Sequence, residues 1–378
     1  MVEFKAVSSE RDFMEFKVSD VSKFADLLDL AKKTTANLKD VESQTILFES
    51  TPECMYATVS SRDIYLQFKV DGEMFSAGKV ATPIAVLANY LNAIKSKREL
   101  RLFYDGAQLF LDSEKTLGTF YVHAGELPMS PFKEWDSSEI ISFDILEKCK
   151  KMSSFCAKDN FKFKNIFFAN KKIYATDTFK AARSVAEYDI FDESLALDVD
   201  FTSSIILLGK FDGEELTLHR NASWVAFELG SILIASRLPS YEADFRKAFD
   251  KFFEKKDASV EVSLNSHEMI DGIKIISSIG KEDVQPIYID PGAKSIQLVH
   301  HGENSARADI ASFSTKLPDI FCLDRTSLDL VCKILGTKES PNISGFFDSY
   351  SDPKMLCLEN DELDIQTIIM LIQQPGQK

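Results

Sequence analysis

The chain has 378 residues, too many for one hydrophobic core and enough for two or three domains. With 45% hydrophobic and 27% charged residues the composition is that of a globular protein, not of a disordered or fibrous one. Lys and Arg number 44 against 59 Asp and Glu, and the net charge of −15 argues against a protein that coats nucleic acid with its average surface, leaving room only for a local basic patch.

Six cysteines, Cys54, Cys149, Cys156, Cys322, Cys332 and Cys357, form no CxxC pair and no dense framework, which fits buried thiols in a reducing compartment. The first residues carry Glu3, Glu10 and Asp12 and lack the apolar core of a secretory signal. The longest apolar runs, residues 204–208 and 368–372, fall far short of the roughly 18 residues that span a bilayer. The expectation is a soluble, cytoplasmic protein that needs no cofactor and no metal.

In chain order, a strand at 15–18 leads to a helix capped by Ser19, with Val21, Phe24, Ala25, Leu28 and Ala31 on one face. Strands are predicted at 44–49, 54–59 and 63–70. A second helix follows, with Thr82 as its cap and Pro83 at its first position. A hairpin turns at Asp105-Gly106, and a strand over 119–123 ends at Pro128. The same order then restarts. A strand over 140–143 precedes a helix capped by Asp144; strands are predicted at 165–168, 172–175 and 181–186, and a second helix over 202–210. Three further strands close at Pro239. A third pass opens with a strand at 260–264, the cap Asn265 and a helix through Met269, Ile273 and Ile276. It continues with a helix over 325–335 and ends on a strand over 365–372.

The three first caps, Ser19, Asp144 and Asn265, are 125 and 121 residues apart, and the entrances to the second helices, Val80, Val199 and Leu323, are 119 and 124 apart. Three copies of one α+β unit, 1–136, 137–257 and 258–378, follow from this spacing.

Three such units ending on an apolar strand resemble the bacterial sliding clamp, the beta subunit of the replicative DNA polymerase. The stretch Ala175-Thr176-Asp177-Thr178-Phe179-Lys180-Ala181 is similar to that family's ATDGHRL corner. Leu238-Pro239-Ser240-Tyr241 is similar to its FPDY segment, and Ile368-Ile369-Met370-Leu371 to its VVMPM terminal strand. Thr178 replaces the corner's glycine and Ala181 its leucine, and six residues follow Ile372, so the chain resembles a divergent member, bacterial or phage-encoded.

The resemblance implies three tandem clamp domains, each with two helices packed on antiparallel sheets, in a chain that dimerises head to tail into a ring around duplex DNA. It implies a processivity factor, not an enzyme, that tethers DNA polymerase and a clamp loader through short peptide motifs. The peptide site would comprise Phe163, Thr176, Thr178, Phe179, Lys180, Ala181, Pro239, Tyr241, Ile368, Ile369, Met370, Leu371 and Ile372. Cations on or beside the helices would face DNA without base readout: Lys32, Lys33, Lys95, Lys97, Arg98, Lys148, Lys151, Lys210, Lys274, Lys281, Lys333 and Lys338, joined by Lys158 and Lys162 of a loop over 158–164 that mixes basic and aromatic residues. The dimer contact would join Leu117, Thr119 and Tyr121 to Ile275, Ile276, His300 and Glu303 of a second copy, with the segment 300–305 as the pairing edge.

Other functions have little to stand on. His267-Glu268-Met269-Ile270-Asp271 approaches the zinc motif HExxH but has Asp for the second His, and acidic residues early in a helix also serve its dipole. His300-His301 with Glu303 is an alternative metal set or a solvated turn. Gly78-Lys79 and Gly209-Lys210 lack the rest of a P-loop, and no GxSxG elbow occurs. A structural scaffold with tandem β-rich domains would share the fold-level features.

Overall fold

The computed structural model describes residues 13–36, 44–122, 134–160, 163–169, 171–186, 195–211, 215–239, 250–251, 253–254, 259–278, 286–290, 296–300, 306–310, 321–348 and 354–371. The first repeat holds β1 (Met14–Val18), α1 (Val21–Thr35), β2 (Thr45–Ser50), β3 (Met55–Ser60), β4 (Ile64–Val70), β5 (Gly72–Ser76), β6 (Gly78–Pro83), α2 (Ile84–Ile94), β7 (Leu100–Tyr104), β8 (Leu109–Ser113) and β9 (Thr116–Phe120). The second holds β10 (Ser137–Ile141), α3 (Asp144–Ser153), β11 (Asn165–Ala169), β12 (Lys172–Thr176), β13 (Lys180–Val185), β14 (Leu195–Asp198), α4 (Val199–Ile206) with a 3-10 turn to Lys210, β15 (Leu216–Arg220), β16 (Trp224–Leu229) and β17 (Ile232–Arg237). The third holds β18 (Val260–Asn265), α5 (Ser266–Ser277), β19 (Pro286–Asp290), β20 (Ile296–His300), β21 (Ala306–Ile310), β22 (Phe321–Asp324), α6 (Arg325–Leu335), β23 (Asn342–Asp348), β24 (Met355–Asn360) and β25 (Ile365–Met370). Among the described residues each repeat thus carries two helices and antiparallel strands, as expected, and Asp250, Lys251 and Phe253 are helical as well.

The caps refine the sequence reading. Asp20, not Ser19, caps α1, its carboxylate accepting from Lys23 N–H at 2.9 Å, while Ser19 N–H is used on Asp71 O. Asn265 caps α5, accepting from the N–H groups of His267 and Glu268. Asp144 is already inside α3, where Ser142 Oγ accepts its N–H at 3.4 Å. Thr82 is a buried strand residue donating to Tyr121 O at 2.8 Å, and Pro83 stands one residue ahead of α2. The last strand of the first repeat begins at Thr116, and β25 stops at Met370. Strands β5, β6 and β14, and β19 to β24 of the third repeat, were not anticipated.

The chain divides into two compact units that cut through the second repeat: Met1–Leu146 with Asp200–Pro239, and Glu147–Val199 with Ser240–Lys378. The reason is the pairing of strands across repeats. In the first unit β17 runs antiparallel to β4, joining Ile232 to Phe68 and Ser236 to Ile64 in an eight-stranded sheet ordered β10-β15-β16-β17-β4-β3-β2-β6. A five-stranded sheet, β5-β1-β7-β8-β9, completes that unit. Phe24 of α1 meets Phe48 of β2 edge-on with centroids 6.0 Å apart, and Phe16, Phe48 and Phe68 are fully buried. Such side chains contribute on the order of 2–3 kcal/mol each by leaving water.

In the second unit β13 pairs with β25, Lys180 with Ile369 and Ser184 with Ile365, in the sheet β14-β11-β12-β13-β25-β24-β23-β18. The terminal strand is therefore central, flanked by β13 and β24. The other sheet is β21-β20-β19-β22, on which α5 lies so closely that a Cβ on Gly272 would stand 2.8 Å from Ile310 Cδ1. All six cysteines are buried and free, and burial pushes the thiols of Cys156, Cys332 and Cys357 up to about 12. No helix among the described residues is long and apolar enough to cross a membrane.

Candidate functional site

The β12–β13 corner is fixed from within. Asp177 Oδ1 accepts the N–H groups of Phe179 and Lys180 at 2.9 and 2.8 Å, and Asp177 N–H donates to Lys180 O at 3.2 Å. Thr176 Oγ1 accepts from Thr178 N–H at 3.0 Å and donates to Lys180 O at 2.9 Å, and Lys180 Nζ closes an ion pair with Asp177. Phe179 O accepts from Met370 N–H at 2.9 Å, which ties the corner to the end of β25.

Two features of this corner are hard to explain by folding alone. Thr178 has φ +83°, a left-handed conformation that a β-branched residue adopts only under strain of about 1–3 kcal/mol. Its neighbour Phe179 leaves 70% of its surface in water although its backbone is rigidly bonded. The strained residue and the exposed aromatic ring thus stand side by side at the tip of the corner. Thr178→Gly is accordingly expected to stabilise the protein by about 1 kcal/mol, raising the denaturant midpoint without changing the fold.

Strand alternation sorts the predicted peptide residues between two faces. Thr176, Ala181 and Ile368 are cross-strand partners on one face, with Met370 two residues further along it. Ile369 is a correction: it points to the opposite face, where Asn360 Nδ2 donates to Leu335 O at the end of α6, and it is buried in that core. Lys180 shares the side of Ile369; burial works to raise the Asp324 carboxyl there, and hydrogen bonds from Ser327 and Thr326, with a smaller contribution from the Lys180 charge, hold it below its ordinary range. Thr176, Ala181 and Ile368 are themselves buried. The accessible set is Thr178 and Phe179, with Met370 and Leu371 half-buried beside them. Phe163 is half-buried in a turn where its carbonyl accepts Ala157 N–H. Pro239 belongs to the first unit, and Tyr241 and Ile372 lie outside the described residues.

With this geometry the chain can be compared with known proteins. No family profile matches its sequence, and no curated protein matches either. Solved structures do. The DNA polymerase III beta subunit of Thermotoga maritima superposes with a TM-score of 0.82 at 15% identity, covering 96% of this chain and 100% of that one. The Caulobacter crescentus beta sliding clamp gives 0.83 at 12% identity, with the same coverage of both chains. The fold is that of the bacterial beta sliding clamp. A third clamp structure, the subunit beta of Bartonella birtlesii bound to griselimycin, gives 0.82 at 13% identity over 96% of this chain and 100% of that one.

The clamp fold carries the other predicted residues unevenly. In the first unit β9 is an edge strand whose Leu117, Thr119 and Tyr121 are exposed, Leu117 by 66%. In the second unit Ile275 is exposed on α5, but Ile276 is 2% exposed and belongs to its own core, so the helix offers one of the two expected isoleucines. His300 ends β20, an interior strand of a sheet whose edges are β21, Ala306–Ile310, and β22, and residues 301–305 of the expected pairing segment lie outside the described residues. Glu303, Lys162 and Lys281 lie outside the described residues.

Of the predicted cations, Lys33, Lys97, Lys274 and Lys333 are paired with Asp29, Glu114, Asp271 and Asp329. Lys32 donates to Asn89 and Lys148 to Val185 O. Lys151 is half-buried in the last turn of α3. Lys95, Arg98, Lys158, Lys210 and Lys338 are exposed and form no ion pair among the described residues.

Proposed function

We propose that the chain is a DNA sliding clamp, a homodimeric ring of three repeats per protomer, 1–136, 137–257 and 258–378, that encircles duplex DNA and tethers a polymerase. The observation that carries this reading is the clamp fold itself, which extends over 96% of the chain in structures of whole clamps. Closure needs two unpaired sheet edges per protomer, and β9 and β21 supply them. Leu117, Tyr121 and Ile275 add apolar surface to these edges.

A topological tether needs only weak, sequence-independent attraction to phosphates, so Lys95, Arg98, Lys158, Lys210 and Lys338 suffice against a chain of net charge −15. Phe179, Thr178, Met370 and Leu371 receive the peptide motifs of polymerase and clamp loader. Such contacts are individually weak, and tethering on shared DNA raises the effective concentration. The work is mechanical rather than enzymatic and takes place in the cytoplasm. Nothing in the fold favours a scaffold role. Light scattering at micromolar concentration should give twice the chain mass of 42.6 kDa, and a monomer would count against the ring.

A further inference from the structure

The face of the β12–β13–β25–β24–β23 sheet that carries the peptide residues is built in rows. Thr176, Ala181, Ile368, Cys357 and Phe346 form one, and Tyr174, Arg183, Gln366 and Glu359 the polar row beside it. Both rows are already occupied. Phe253 is 4% exposed and packs in one cluster with Ala181, Ile368, Cys357, Phe346 and Met355. Three residues earlier, Asp250 Oδ1 accepts from Arg183 Nη1 at 2.8 Å, Lys172 Nζ at 3.1 Å and Tyr174 Oη at 3.1 Å. Burial works to raise the Asp250 carboxyl, and the hydrogen bonds from Lys172 and Arg183 outweigh it, holding the group below its ordinary range. Arg183 joins the two rows: its guanidinium also lies 4.6 Å from the Phe253 ring centroid, and its Nε donates to Gln366 Oε1 at 3.1 Å.

We propose that Asp250 and Phe253 are an intramolecular stand-in for a partner. A protein that docks beside the 176–181 corner would present a carboxylate and, three residues on, an aromatic ring, and would take over the Arg183–Lys172–Tyr174 clasp and the apolar row. This rests on reading the corner as a partner site. Two of the residues expected to receive a partner's anchor, Ala181 and Ile368, are the ones that Phe253 covers. Among the described residues the tether is one ring and one partly exposed carboxylate, with no strand ladder to the sheet. Swapping one acid–aromatic pair for another leaves apolar burial and charge pairing unchanged, so the exchange can be nearly balanced. The internal copy then lowers the apparent affinity of every partner by the fraction of time it occupies the rows. Promiscuous weak binding is filtered out, and partners already tethered to the same DNA compete successfully.

The test uses the full chain and a fluorescein-labelled decapeptide with the sequence of residues 247–256, followed by anisotropy. Phe253→Ala should bind the peptide at least tenfold more tightly than the intact chain, and Asp250→Asn, which loosens the clasp but keeps the ring, several-fold more tightly. A peptide with Ala at the position of Phe253 should lose the gain. A Phe253→Ala chain with native circular dichroism that binds no better than the intact chain overturns the proposal. If Phe253→Ala fails to fold, an Asp250→Asn chain that gains nothing overturns it. Retention of the intact chain on circular DNA separates the two ideas: retention without any peptide gain removes only the stand-in, whereas absence of retention removes the clamp reading.

Discussion

On the proposed ring, a Leu117→Asp chain is expected to run as a monomer at concentrations where the unmutated protein should be a dimer, and to lose the hold on circular DNA that the ring would provide. Leu117 points outward from the edge strand β9 and contributes nothing to its own core, so the fold should survive the change. The edge itself is rigid. Gly118 is pressed so closely on Tyr90 and Phe120 that a Cβ there would stand 2.8 Å from each, and those two rings meet edge-on at 5.3 Å. Thr82 fixes the end of the strand by bonding Tyr121 O. A carboxylate placed in a contact that must exclude water has no partner in the proposed interface, and its desolvation is not recovered. A loss of at least a hundredfold in dimer affinity, about 2.8 kcal/mol, is expected, and sedimentation equilibrium measures it. Undiminished dimerisation would remove β9 from the interface.

Replacing both Phe179 and Met370 by Ala should abolish stimulation of a cognate polymerase while leaving the dimer and its retention on DNA intact. The ring of Phe179 is mostly in water and Met370 is half-buried at the end of its strand, so neither change opens a large cavity. An anchor at such a site is worth about 2 kcal/mol or more, so loss of the Phe179 ring alone should lower partner affinity by roughly 30-fold, and loss of Met370 with it should lower it further. Removing the chain from Ile368 onward is a poor substitute for this experiment. It would take out half of β25, which pairs with β13 on one side and β24 on the other, and would destroy the sheet along with the site. Unchanged stimulation by the double variant would move the partner site elsewhere.

Much of the fold can be read from residue order because each repeat signals itself locally: a capping residue, an amphipathic helix, then alternating strands. The helix over 325–335 matches the sequence expectation to the residue, since Asp324 both ends a strand and caps with bonds to Ser327. Helix starts elsewhere shifted by one to three residues, as with Asp20 in place of Ser19 as the cap of α1, and with α4, expected from Thr202 and found from Val199. The inter-repeat ladders β17–β4 and β13–β25 were not legible, because pairing between residues more than 160 positions apart leaves no local pattern.

The site was partly legible. The motif at 175–181 and the terminal strand drew attention to two segments distant in sequence, and the hydrogen bond between Phe179 O and Met370 N–H joins them. What sequence could not give was the face each residue takes, so Ile369 and Ile276 were expected at surfaces although strand and helix geometry turn them inward. Nor did it give the strain at Thr178, visible only as a positive φ. Asp250 and Phe253 sit in a charged stretch at the boundary of the second and third repeats, and only the geometry at Arg183 gives them a role.

The central claim is that this chain holds DNA by encircling it, and the most direct measurement is retention after loading on a nicked circular duplex. The protein should stay with the circle through gel filtration at moderate salt and run off when a single cut linearises it. Equal loss from circle and linear DNA, or equal retention on both, would contradict a topological tether.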